Sequence, residues 1–265
     1  MGWGLRTLTS APVQRPAPQG HLLSVTQLSA SAYDDLRTCP YRFFALRQLG
    51  LQPVDELDAS VDKRDFGLWL HDVLKRFHET WAALDRPDAA DPLALLQAAA
   101  DATTAAMGLA EGEFLPFAAA WPAVRDGYLR WLPRHAERGA VFASAETAHT
   151  LPLGAVQLVG RIDRIDRLAD GSTLVLDYKT ENASRTAQRI KEPLEDTQMA
   201  FYAALLPDDT VQGAYVNVGE REGTKDYYQT ELVAARDALI DGILDDLGRI
   251  GQGEPTGPTF QPQLK

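Results

Sequence analysis

Gly160-Arg161-Ile162-Asp163-Arg164-Ile165-Asp166 and Val175-Leu176-Asp177-Tyr178-Lys179-Thr180 are two β-prone stretches, and the way they pair decides the fold. Between them lies Ala169-Asp170-Gly171, a hairpin turn signal. A turn centred on Asp170 sets Asp163 directly opposite Asp177. Directly paired residues project from one face of a sheet, with Cβ atoms ~5 Å apart. Lys179, two positions beyond Asp177, emerges on that face as well. A two-residue turn at Asp170-Gly171 shifts the pairing by one and sends the two aspartates to opposite faces. The register that unites them needs a three- or five-residue loop, or a bulge. Ala169-Asp170-Gly171 with a left-handed Gly171 fits the three-residue type.

Two partly buried carboxylates at that separation repel each other, and one protonates unless a cation sits between them. Mg²⁺ or Mn²⁺ resolves the repulsion, because hard oxygen ligands suit these ions. A lysine beside the metal can hold a water and stabilise charge building on a phosphate. The plain alternative is a cross-strand salt bridge of Lys179 with Asp163 or Asp177. Leu174, Val175, Leu176 and Ile162 point to strands buried on both faces, where unpaired charge is expensive.

Outward from this centre, residues 141–149, 155–168 and 172–179 pattern as strands. A helix is expected at about 193–206, strands at 211–219 and 225–230, and a last helix at 231–250. The N-terminal half reads as helical. Ser29 or Ser31 caps a helix through Tyr33, Leu36, Tyr41, Phe44 and Leu46. A second, over 64–84, carries Phe66, Leu70, Val73, Leu74, Phe77 and Trp81 on one stripe. The Ala-rich stretch 93–110 and the aromatic stretch 117–136 make two more. The order implies an α/β protein, with a mixed central sheet flanked by helices.

Residues 1–24 hold Pro12, Pro16, Pro18 and Gly20 and read as a flexible lead-in or linker. One domain is expected over 25–252, helical over about 28–138 and sheet-containing over about 139–252. An irregular tail follows at 253–265. The chain has 265 residues and a net charge of −11, which weighs against a protein that grips DNA unaided. Cys39 is the sole cysteine, so no intrachain disulfide can form, and it reads as a half-buried packing residue. No apolar run is long enough to span a bilayer and no signal peptide opens the chain, so a cytoplasmic location is expected.

The central stretch resembles the PD-(D/E)XK nuclease superfamily, in its RecB-like branch. Leu28-Ser29-Ala30-Ser31 with Cys39-Pro40-Tyr41-Arg42-Phe43 resembles that family's opening helix. Gly67-Leu68-Trp69-Leu70-His71 resembles its G-x-x-x-H motif, and Gln198-Met199-Ala200-Phe201-Tyr202 its Q-x-x-x-Y motif. The resemblance implies a restriction-endonuclease-like core with a helical N-terminal elaboration. It implies that Asp163, Asp177, His71 and the Tyr178 carbonyl bind Mg²⁺ or Mn²⁺ and that Lys179 is the catalytic lysine. Gln198 and Tyr202 would position DNA or the active-site groups.

Arg161 shares the face of Asp163 and is a candidate phosphate contact, whereas Asp166 and Arg164 belong to the other face. Glu146 is a candidate acid beyond the direct metal ligands, but reads first as surface charge. His21, His78, His135 and His149 have no evident partners. The closest resemblance is to the nuclease domains of AddB- and RecB-type helicase–nucleases. It implies a deoxyribonuclease, of exonuclease type, acting in double-strand-break repair or recombination beside a helicase domain or subunit. Many AddB-type relatives hold an iron–sulfur cluster with four cysteines. With Cys39 alone, none is expected here. No P-loop is present. The rival reading is an inactive nuclease-fold module serving as scaffold or DNA-end clamp.

Overall fold

The hairpin takes the first of the two registers. In the computed structural model, β3 (Val156–Arg167) and β4 (Thr173–Lys179) pair antiparallel from Arg167–Thr173 to Arg164–Leu176. Leu168 N–H donates to the Ser172 carbonyl at 3.0 Å, which closes a loop around Ala169-Asp170-Gly171. Gly171 has φ +85°, the left-handed conformation that this loop needs and that only glycine adopts without strain. Asp170 Oδ1 accepts from Ser172 N–H at 2.9 Å and pins the turn.

The structure describes residues 25–51, 63–86, 89–109, 111–191, 194–208 and 210–255, with the isolated positions 19, 21, 261 and 262. Most of the expected lead-in at 1–24 and much of the tail at 253–265 lie outside the described residues. The helices are α1 (Ala30–Thr38), α2 (Pro40–Phe43), α3 (Lys63–Ala82), α4 (Pro92–Ala106), α5 (Glu111–Ala136), α6 (Ala183–Arg189), α7 (Gln198–Ala204) and α8 (Leu232–Gly251). The remaining strands are β1 (Gln27–Leu28), β2 (Val141–Leu153), β5 (Val211–Gly219) and β6 (Gly223–Tyr228). β2 lies antiparallel to β3, β4 parallel to β5, and β5 antiparallel to β6, while the two residues of β1 run parallel to β3. The sheet is thus mixed, as expected.

Alternation along β4 sorts its side chains to two layers. Leu174, Leu176 and Tyr178 share a core with α3, α4 and α5 through Trp69, Val73, Phe77, Leu96 and Tyr128. Val175 packs with α1, α7 and α8 through Leu36, Met199, Phe201 and Leu239. Gly160 of β3 permits the close approach of α7, since a Cβ there would lie 2.6 Å from Leu205 Cδ1. That approach sets α7 against β3.

Three expectations are corrected. The opening helix is not continuous. Ser29 caps it through its hydroxyl, but Cys39 is extended (φ −155°, ψ 90°), and α2 and a π-helical turn (Phe44–Gln48) follow. Pro40 causes the break, because its ring disfavours a helical residue before it. Cys39 is exposed rather than half-buried. The helix expected at 193–206 starts only at Gln198, and a separate short helix, α6, precedes it, capped by Asn182.

Candidate active site

Beyond Arg164–Leu176 the two central strands part. β4 stays paired with β5 as far as Lys179–Asn217, while β3 stays with β2. Extending the register places Asp163 against Asp177 across this fork. Tyr178 N–H, not used in the β3 ladder, donates to Asp163 Oδ2 at 2.8 Å. Both aspartates are buried.

His71 enters the fork from α3. Its Nε2 lies 3.1 Å from the Tyr178 carbonyl oxygen, and its Nδ1 lies 3.2 Å from Glu146 Oε1 and 3.6 Å from Asp163 Oδ2. Both ring nitrogens face acceptors, so the imidazolium is the favoured form. Burial opposes that charge, yet Asp163, Glu146 and Asp177 together outweigh it and push His71 up to about 9. Asp163 is pushed up to about 7. Burial is the largest cause and repulsion from Asp177 the next, offset in part by His71 and Tyr178 N–H.

Gln198, the first residue of α7, links the other half of the site. Its Nε2 donates to Asp177 Oδ1 at 2.8 Å and to the Tyr202 hydroxyl at 3.0 Å, while its Oε1 accepts from Lys179 Nζ at 2.8 Å. Lys179 Nζ also stands 2.7 Å from Asp177 Oδ2. Beyond this ion pair, that buried oxygen has no hydrogen-bond partner among the described residues. Arg161 is largely exposed, with Nε 4.0 Å from Glu146 Oε2.

All the residues expected at the site therefore converge: His71, Asp163, Asp177, Tyr178, Lys179, Gln198 and Tyr202, with Arg161 at the rim. The tightest grouping differs from the expected one. His71, Glu146 and Asp163 offer ligand atoms within 4.8 Å of one another, whereas Asp177 is turned toward Lys179 and Gln198. Glu146 is not plain surface charge. Its side chain is 15% exposed and faces His71. Carboxylate oxygens, a backbone carbonyl and one imidazole form a donor set for a hard divalent cation, with Mn²⁺ better suited than Mg²⁺ to the nitrogen. A buried Asp177 oxygen held by Lys179 alone and an Asp163 whose charge is disfavoured by burial and by Asp177 both fit such an ion.

Behind the site lies a polar network that sequence reading left unassigned. Asp166 accepts from Arg164 Nε at 2.7 Å and lies 2.6 Å from His135 Nε2. Arg164 Nη1 reaches His78 Nε2 at 2.7 Å and the Tyr128 hydroxyl at 3.2 Å, and Tyr128 meets the Tyr178 hydroxyl at 2.9 Å. All six side chains are buried. Burial and the adjacent Arg164 hold His78 well below its usual range, so it is neutral and accepts. As expected, Arg164 and Asp166 lie off the site itself.

Comparison with known proteins bears on the family and the fold. The family model of the PD-(D/E)XK nuclease superfamily matches residues 27–260. A crystal structure of a protein from Eubacterium rectale, named as a candidate exonuclease, superposes with a TM-score of 0.51. It is 10% identical, over 86% of this chain and 82% of that one, so it speaks to the fold alone. The structure of SSO0001, 16% identical over 88% of this chain and 80% of that one, gives a TM-score of 0.35, too low to bear on the argument. Comparison with curated proteins gives no match.

Proposed function

The chain belongs to the PD-(D/E)XK nuclease superfamily, and from that premise we propose that it is a deoxyribonuclease that hydrolyses phosphodiester bonds with Mg²⁺ or Mn²⁺. The observation that carries this is the fork: two buried carboxylates from neighbouring strands with a lysine alongside. Asp163, Asp177, the Tyr178 carbonyl and His71 would hold the ion. When bound, the metal supplies Lewis acidity toward the phosphate and a more acidic bound water. Lys179 orients the attacking water and offsets charge on the phosphate. Gln198 holds Asp177 and Lys179 in their relative positions, and the Tyr202 hydroxyl holds Gln198. Arg161, exposed at the rim, meets a phosphate of the substrate strand.

We place the protein in the RecB-like branch, as an exonuclease-type domain in double-strand-break repair or recombination that works with a helicase domain or subunit. The four motifs in order support the branch, and the net charge of −11 supports dependence on a partner. An inactive scaffold would not need the full Asp163, Asp177 and Lys179 set.

The test is cleavage of linear DNA in Mg²⁺ or Mn²⁺. Asp177→Ala and Lys179→Ala are each expected to lower the rate by roughly 10²-fold or more, the scale of losing a transition-state contact, while circular dichroism stays unchanged. Full activity in both variants overturns the proposal.

A further inference from the structure

Glu146 occupies β2 directly across from Asp163. Its neighbours Ala145 and Thr147 pair with Arg164 and Ile162 in regular register, yet the Glu146–Asp163 pair itself drops out of the ladder. The cause is the backbone. Glu146 has φ +48°, one of two non-glycine residues among those described in the left-handed region. No turn demands this conformation, because the β2–β3 turn lies at Gly154, eight residues on. An L-residue is held there only where the surroundings over-determine it, and such residues cluster at functional sites.

The β2–β3 register sets Glu146 on the same face as Asp163. The carboxylate is delivered into the fork, with Oε1 at 3.2 Å from His71 Nδ1, which is itself 3.6 Å from Asp163 Oδ2. Adjacent ligands around an octahedral ion at ~2.1 Å lie ~3 Å apart, so these separations are of the size a shared cation sets. The Arg161 contact is at the 4.0 Å limit and exposed, so the carboxylate's position is defined by its 3.2 Å approach to His71 Nδ1, itself an atom of metal-ligating type.

We infer that Glu146 is a direct ligand of the divalent cation in the nuclease site. The inference rests on the nuclease reading above. It is tested on the whole chain without DNA, by titrating Mn²⁺ calorimetrically into wild type, Glu146→Gln and Glu146→Gly, with melting temperatures taken in EDTA and in excess Mn²⁺.

The glutamine variant is expected to bind Mn²⁺ at least about tenfold more weakly, or to lose one equivalent. The glycine variant, free of the strained conformation, is expected to show the same loss of Mn²⁺ affinity. Unchanged Mn²⁺ affinity in both variants, with a lower melting temperature in EDTA, would make Glu146 a salt-bridge residue and overturn the inference. Absence of Mn²⁺ binding by wild type would overturn the nuclease reading and this inference with it.

Discussion

At the scale of single residues, the site is governed by competition between protons and a metal. His71 is pushed up to about 9 and Asp163 up to about 7, both toward their protonated forms. A raised folded pKa means the folded chain binds more protons than the unfolded one. The stabilisation from Asp163 is complete below its unfolded value near 3.8 and is lost as pH rises through about 7. That from His71 is complete below 6.5 and is lost as pH rises through about 9. In EDTA, therefore, the melting temperature is expected to fall between pH 6.5 and 9. Metal ligation needs the deprotonated carboxylate and the neutral ring, so Mn²⁺ affinity is expected to rise over the same window. His71→Ala should flatten both profiles. A melting temperature in EDTA that rises toward pH 9 would contradict the assignment of His71.

At the scale of elements, the buried network couples α3 and α5 to the β3–β4 hairpin. Asp166 takes Arg164 and His135, and Arg164 takes Tyr128 and His78. Removing one member of a buried charged pair strands the other. Asp166→Ala is therefore expected to cost about 3–5 kcal/mol in chemical denaturation, whereas an Arg164→Met, Asp166→Leu double variant should recover much of that loss. A single variant that melts within 1 °C of wild type would show that the network carries no stability. The hairpin was legible from residues because turn chemistry and strand parity are local: Gly171 fixed the loop, and parity then brought Asp163, Asp177 and Lys179 to one side. The strand at Val211–Gly219 was legible for the same reason. What escaped was non-local or too short to have a period. β1 has two residues, α6 is polar and seven residues long, and the partners of His78 and His135 lie 86 and 31 positions away. Glu146 was legible only as an outer acid, because its place opposite Asp163 depends on the β2–β3 register, which the sequence reading did not set.

At the scale of the whole molecule, the question is how an acidic chain meets a polyanion. A groove of about 500 Å³ runs beside the site, and its walls include Arg161, Arg189, Asp34, Glu195 and Asp196. Arg189 is already engaged by Glu181 and Asp196, which leaves the groove walls short of free cations among these residues. Phosphate contacts release counterions, and affinity then falls with salt in proportion to the number of phosphates neutralised. A chain of net charge −11 with this groove is expected to neutralise few. With Ca²⁺ in place of a catalytic metal, binding to a short linear duplex should be weaker than about 10⁻⁶ M at physiological salt, with a log–log salt slope shallower than about −3. Fluorescence anisotropy across 50–200 mM salt measures both. Tight binding with a steep slope would place a basic track on this chain and remove the need for a partner. Weak binding by an active nuclease would locate the grip on DNA in another domain or subunit, leaving this fork to make the cut.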